Sequence, residues 1–195
     1  MALNDEAVLT AAVGHVYTGT VGTAVAPTAA QLDDLNLLDP AGWTGATGWT
    51  SVGHTSRNDM PEFGFEGGDT EVRGTWQNEK LREVVTEAAA DYLIVYLHQF
   101  DEDAFALYYG PNAGTTPGEF HVSGASNPSE KAFLVIIEDG DVRIGFHAAK
   151  ASLRREEAIQ LPVDDFASLP IRATFLKYQN EPAFKWINED LFPGA

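Results

Sequence analysis

The chain has 195 residues, with 29 Asp and Glu against 12 Lys and Arg, and a formal net charge of −17. Such an acidic chain repels phosphate, which argues against a nucleic-acid reader and against docking to anionic membranes. The absence of cysteine excludes disulfides and thiolate metal sites. With 44% hydrophobic residues, 18 glycines, an acidic N-terminus and no apolar run of about 20 residues, we expect a soluble, turn-rich domain without an export signal.

The first third of the chain is interrupted repeatedly by glycine, threonine and proline. A short strand is predicted over residues 13–17. A long loop follows over about residues 18–60, and a helical turn is predicted within it over residues 29–32. Trp43 and Trp49 lie in this loop. Because two indoles are not expected to remain in water, we predict that the loop packs against its own domain or reaches a neighbouring subunit.

The middle of the chain has strand patterns. Polar and apolar residues alternate over residues 71–77, which predicts a strand half-buried on one face, followed by a turn at 77–80 and a return strand at 81–85. Residues 90–100 are apolar at both odd and even positions and are rich in β-branched and aromatic side chains, so a strand buried on both faces is predicted.

One helix is predicted from Asp101, which can cap its N-terminus, to the Gly110-Pro111 stop. A loop follows, with a possible short strand at 120–122. The clearest hairpin spans residues 132–148, because an Asp-Gly pair favours a tight turn.

The C-terminal part of the chain begins with a segment, 154–161, that is either a strand or a helical turn. A last strand is predicted over 169–178, and an apolar C-terminal arm over about 181–195. The coarse prediction is a mainly β fold of two packed antiparallel sheets, sandwich or barrel-like, with one flanking α-helix.

No catalytic, cofactor-binding or metal-binding residues are predicted. The five histidines lack zinc spacing. His54, Ser56 and Asp59 have the residue types of a hydrolytic triad, but they lie within six positions on one loop, so a locally hydrogen-bonded polar loop is the prediction. The glycines at 64–68 are flanked by acids and followed by a strand, which indicates a bend rather than a phosphate cradle.

Several segments resemble the major tail tube proteins of long-tailed, siphovirus-type bacteriophages. The resemblance lies in the residue patterns of whole segments and not in a catalytic motif, and it covers most of the chain. The segments that carry it are 14–17 (GHVY), 21–23 (VGT), 53–63 (GHTSRNDMPEF), 67–70 (GGDT), 74–78 (GTWQN), 132–137 (AFLVII) and 169–178.

The resemblance implies a single tail tube domain over residues 1–195, in a structural virion protein that is made in the host cytoplasm and is not an enzyme. It implies self-assembly into hexameric rings that stack into a tube around a tape-measure protein, with tail terminator and distal tail proteins as further partners. DNA passes through the channel without sequence-specific binding. No cofactor and no membrane are implied.

Aromatic and apolar side chains in the strands, the loop and the tail are the candidate assembly interface, because a ring-forming protein needs accessible edges and arms. These residues are Trp43, Trp49, Phe63, Phe65, Tyr92, Ile94, Tyr96, Trp186, Leu191 and Phe192.

Three alternatives stay open at the level of sequence. A carbohydrate-binding β-sandwich module would use exposed aromatic residues such as Trp43, Trp49 and Trp76. A hydrolase would use a pair of carboxylates, which 29 acids make inevitable somewhere in the chain. A neck or tail-terminator protein would form one ring without extending it.

Overall fold

The computed structural model describes residues 7–124 and 128–193. Two α-helices and ten strands lie in these residues. In chain order they are β1 (Val13–Gly19), α1 (Ala29–Leu32), β2 (Trp49–Ser51), β3 (Glu62–Glu66), β4 (Thr70–Thr75), β5 (Asn78–Val85), β6 (Ala90–Leu97), α2 (Glu102–Tyr109), β7 (Ser129–Asp139), β8 (Val142–Arg155), β9 (Leu169–Phe175) and β10 (Lys185–Ile187).

Eight of these strands form one antiparallel sheet in the order β2-β1-β7-β8-β9-β6-β3, with β10 paired to β8, and β4 and β5 form a separate hairpin. The segment 49–56 connects the two ends of the large sheet. Its first residues pair with β1, and Val52 N donates to Val16 O (3.0 Å). Ser56 N then donates to Tyr96 O of β6 (2.9 Å), so the sheet curls into a nearly closed barrel.

The two faces of the large sheet have separate apolar cores. The inner core joins side chains of β1, β6, β7, β8 and β9, and helix α2 contributes Ala104, Leu107 and Tyr108 to it. The outer core lies on the opposite face of β1 and β7, where Tyr17, Leu134 and other side chains pack against residues 32–49. Because successive residues of a strand point to opposite faces, β7 is buried on both.

The predicted fold class is confirmed: the chain is mainly β, its sheets are antiparallel and it has one main helix. Helix α2 begins as predicted, since Asp101 Oδ1 accepts from Ala104 N (2.9 Å). The β7–β8 hairpin turns at Gly140, whose φ of 61° suits glycine. The strands are divided unequally, because the second sheet is only the β4–β5 hairpin.

Four local predictions were wrong. The first hairpin turns at Trp76-Gln77 rather than 77–80, and every residue of β4 is exposed instead of half-buried. Strand β6 is fully buried on one face only. Residues 120–122 are irregular. The segment 154–161 is neither a separate strand nor a helical turn, because β8 continues to Arg155 and then gives way to irregular structure.

Candidate assembly surface

The β4–β5 hairpin, residues 70–85, projects from the large sheet and is called the arm below. It continues from the paired strands β3 and β6 through Gly67 and Gly68, which have φ values of 76° and 80°. These left-handed conformations favour glycine and set the bend where the arm leaves the body. Six residues of β4 at about 3.3 Å each extend the arm by roughly 20 Å.

The arm exposes apolar side chains along its whole length. Trp76 lies at its tip and is 98% exposed. Val72, Leu81 and Val85 are each more than half exposed. The arm also has three acidic and three basic side chains, so it is neutral within a chain of net charge −17. Sequence reasoning missed it as a candidate interface, although the Gly67-Gly68 pair before an alternating charged segment was a visible signal.

An aromatic rim lies at one margin of the large sheet, formed by Phe63 and Phe65 of β3 and Trp186 of β10. The rings of Phe63 and Trp186 lie 5.2 Å apart, and both pack on the buried ring of Phe146, at 4.8 and 5.0 Å. Phe63 and Trp186 remain about two-fifths exposed, and Phe65 is 71% exposed. Three of the predicted interface residues are therefore on neighbouring strand ends with accessible rings.

The outward face of β6 presents Tyr92, Ile94 and Tyr96, which are half-buried, while Leu93, Val95 and Leu97 point into the inner core. The guanidinium of Arg172, on the adjacent β9, lies 3.9 Å from the centroid of the Tyr92 ring.

Arg172 also ties this face together by ion pairs. It binds Glu156, and its Nη1 lies 2.9 Å from Glu66 Oε2. The hydrogen bond with Glu156 raises the pKa of Arg172, and burial raises the pKa of Tyr96. The ion pairs of Arg172 hold this half-exposed face in place, as suits a contact surface and not a catalytic site.

A groove opens between β1 and β3, where the barrel wall is incomplete. It encloses about 320 Å³. Its floor is formed by Val135 and Ile137 of β7, and Gly14, Met60 and Phe63 are among its walls. Among the described strands, β2 pairs only with the Tyr17–Gly19 end of β1, which leaves the Val13 end of β1 unpaired on the groove side.

Trp43 and Trp49 belong to the chain's own outer core instead of a free arm. They are 6% and 4% exposed. Their indole N–H groups donate to Asn36 O (2.7 Å) and Val25 O (2.8 Å). The predicted loop of residues 18–60 thus contains α1 and β2 and packs on the sheet.

The side chain of Arg143 holds this packed loop. Its Nη1 donates to Leu32 O (3.2 Å), Asp33 O (2.8 Å) and Leu35 O (2.9 Å), and Nη2 pairs with Glu138 (3.0 Å). The sequence offered no signal for this contact.

The C-terminal segment also docks on its own chain, since Lys185–Ile187 pairs with β8 and Ile187 is buried in the outer core. Beyond it, Leu191 N donates to Asn188 Oδ1 (2.6 Å), and Phe192 is exposed. Of the predicted tail residues, only Phe192 is freely accessible, while Trp186 belongs to the aromatic rim.

His54, Ser56 and Asp59 hydrogen-bond locally and are not aligned as a triad. Ser56 Oγ bonds Asp59 Oδ2 (3.2 Å) and accepts from Asp59 N, as expected for a polar loop, while His54 N bonds Gln99. Within residues 7–124 and 128–193, no cluster of three or more His, Asp and Glu side chains could hold a metal ion. No helix there is long and apolar enough to cross a membrane.

One histidine is buried in an unusual setting. His147 on β8 is 5% exposed, and its Nε2 has no hydrogen-bond partner among the described residues. Trp49 packs edge-on against it, with ring centroids 5.7 Å apart. Burial lowers the pKa of His147 to about 4, helped by the charge of Lys185. The imidazole is therefore neutral at physiological pH.

Sequence comparisons find related proteins over the full length of the chain. A family model described as "Phage tail tube protein" matches residues 1–195. The chain is 63% identical over 199 residues to the "Major tail protein Gp23" of Mycobacterium phage D29, covering 100% of this chain and 99% of the relative. It is also 63% identical over 193 residues to the protein of the same name from Mycobacterium phage L5, covering 98% and 96%.

Proposed function

The chain belongs to the phage tail tube protein family, and we propose that six copies close into a ring and that stacked rings form a channel for DNA. As a major tail protein by similarity, it is a structural component of the virion and not an enzyme.

The observation that carries the proposal is the arm. A two-stranded hairpin alone in water is at best marginally stable, because it has no second layer to bury its apolar side chains. Val72, Trp76 and Leu81 are exposed, so a solitary subunit gains little from this arm. A second copy that covers the arm would supply the missing layer, which is the behaviour of an assembly element.

Lateral contact between copies would use the margin of the large sheet. Strand β3 is the last strand of the sheet order and pairs along one side, with β6, in the described residues. An unprotected strand edge is a template for pairing with another chain. The aromatic rim of Phe63, Phe65 and Trp186 adjoins this edge, and packing it against a neighbour would remove its rings from water.

The acidic charge would suit a DNA channel. Six copies at −17 carry a formal −102 per ring. If part of this charge lines the channel, DNA would pass without adhering, because phosphate is bound by cationic groups. A tape-measure protein would occupy the same channel before DNA does, and tail terminator and distal tail proteins would close the two ends of the tube.

Electron cryo-microscopy of tails purified from the phage particle tests the proposal directly. We expect sixfold rings of this chain, stacked many times, with acidic side chains along the channel. A tail in which this chain forms one ring only would favour the neck or terminator alternative and overturn the tube. A basic channel would refute the charge argument alone.

The carbohydrate-binding alternative receives little support from the geometry. Trp43 and Trp49 are buried with their N–H groups occupied, and Trp76 lies alone at the tip of the arm. Stacking on a sugar needs accessible rings on a common surface. Unchanged tryptophan fluorescence during titration with oligosaccharides is the expected result.

A further inference from the structure

We propose that the indole of Trp76 from one copy inserts into the groove between β1 and β3 of another copy. The inference rests on the proposed function, since it names the partner surface for the arm. The occupant of the groove is a second copy of this chain. Four features of the described residues support it.

The groove has the shape and the surface of an acceptor. Its floor consists of Val135 and Ile137, which face the inner core and are reached through the gap in the barrel wall. Its volume of about 320 Å³ is that of a small ligand pocket and accommodates an indole. Gly14 contributes no side chain, and a Cβ placed there meets only Ile136 O, at 3.8 Å. The groove is thus open where β1 passes it.

The arm supplies a side chain, Trp76, that would fill this groove. Trp76 is the most exposed aromatic side chain of the described residues. Tryptophan is the residue type most enriched among interface hot spots, where it fills desolvated pockets near the centre of a contact. Burying a fully exposed indole in an apolar groove contributes more than any other single contact that the arm can offer.

The arm of one copy is directed away from that copy's own groove. It leaves the body at the Glu66 end of β3, whereas the groove lies beside Pro61 and Phe63 at the other end of the strand. The exposure of every β4 residue and of Trp76 confirms that the arm does not fold back onto its own body. An indole in the groove must therefore come from another copy.

The charges favour contact between the arm and a second copy. Outside the arm the chain has 26 acidic and 9 basic side chains, which follows from totals of 29 and 12 and three of each in the arm. Body-to-body contacts between copies are repulsive at this balance, but a neutral arm meets an acidic body without that penalty. The groove wall also includes Arg57, one of the nine cations of the body.

Cysteine cross-linking tests the contact, because the natural chain has no cysteine. Trp76→Cys and Met60→Cys are made as separate variants, mixed with an excess of wild-type subunits, assembled into tubes and treated with a short bis-maleimide. Val163→Cys replaces Met60→Cys in the control, since Val163 is fully exposed and outside the groove. We expect at least about tenfold more mixed dimer from the groove pair, because docking raises the local concentration of the thiols.

The outcomes separate the contact from the tube itself. Tubes that form while both pairs cross-link equally would overturn the contact and leave the proposed function standing. The absence of tubes from wild-type subunits and from purified tails would refute the proposed function. Exclusion of the Trp76→Cys and Met60→Cys subunits from wild-type tubes, with Val163→Cys included, would support the contact.

A second variant fills the groove without altering the arm. Gly14→Leu places a side chain in the space beside Ile137. Gly124→Leu is the control, because a Cβ at Gly124 meets no described atom within 4 Å and one at Gly14 meets only Ile136 O, at 3.8 Å. We expect Gly14→Leu to block tube extension and Gly124→Leu to assemble like wild type, while both unfold thermally like wild type. Normal tubes from a folded Gly14→Leu protein would contradict the proposal.

Discussion

Removing the contact between Arg143 and the packed loop of residues 18–60 tests directly what holds the outer core together. Its guanidinium donates to the carbonyls of Leu32, Asp33 and Leu35 and pairs with Glu138. Arg143→Met keeps the length and apolar stem of the side chain but removes every one of these donors. The change therefore tests the hydrogen bonds while retaining most of the packing.

The expected loss of unfolding free energy follows from counting these bonds. The three carbonyls share the two N–H groups of Nη1, so the change removes about two hydrogen bonds, each worth about 1 kcal/mol net. The ion pair with Glu138 is partly exposed and adds less than about 1 kcal/mol. Arg143→Met should thus cost between about 2 and 3 kcal/mol. Arg143→Lys should cost roughly half as much, because one ammonium cannot bind the carbonyls and Glu138 through separate nitrogens as the guanidinium does.

Urea unfolding monitored by tryptophan fluorescence is the appropriate measurement. Trp43 and Trp49 lie in the packed loop, so their emission reports the release of that loop. The free energy of unfolding is obtained by linear extrapolation to zero urea. If the loop separates from the sheet before the barrel unfolds, the Arg143→Met transition should begin at lower urea by fluorescence than by circular dichroism.

Arg73→Met is the matched control. It removes an arginine whose 3.2 Å contact with Glu71 lies exposed in the arm, and should cost about 0.5 kcal/mol or less. Equal losses for Arg143→Met and Arg73→Met would refute the argument, since the carbonyl contacts would then contribute nothing beyond an exposed ion pair.

Three further predictions concern pH, the rim and the arm. The pKa of His147 is lowered by burial to about 4, below its unfolded value, so stability is full above pH 6.5 and should fall by about 2 kcal/mol from pH 7.5 to pH 5, as measured by urea unfolding. His147→Leu should lose most of this dependence and keep the part that comes from His15, whose pKa burial also lowers, whereas the exposed-site control His121→Gln should keep all of it. Phe63→Ala should cost about 2 kcal/mol of stability, because its ring contacts buried Phe146. Phe65→Ala should leave thermal unfolding unchanged and reduce only assembly, and equal losses of stability in the two variants would contradict this assignment. Gly74→Ala should abolish tubes but leave monomer unfolding within about 0.5 kcal/mol, because a Cβ there collides with the backbone of Glu79 in the opposite arm strand; normal tubes would show that the arm tolerates the distortion.

The sequence predicted best where a few neighbouring residues decide the structure. Asp101 caps α2 through a bond to the amide three positions later, and the Asp-Gly pair at Gly140 sets its own turn. These interactions are local, so the residue pattern contains all the information that they need.

Predictions were incomplete where a distant segment decides burial. The carbonyls that Arg143 binds lie 108 to 111 positions away in the chain, and no periodicity reports such a contact. The alternation over residues 71–77 is the same pattern whether a second layer covers one face or no layer exists, as in the arm. Burial of Trp43 and Trp49 and exposure of Trp76 could therefore not be distinguished by residue type.

The two apolar cores on opposite faces of β7 determine how substitutions in different parts of the chain should act. Substitutions at Leu134 and Ile136 of β7 should lower the stability of the single subunit, because the outer core encloses these side chains within the same chain. On the proposed assembly, substitutions in the exposed arm should alter how far the tube extends and leave the stability of the single subunit largely unchanged. Subunit stability and tube length would then respond to different positions, the first to the outer-core residues of β7 and the second to the arm.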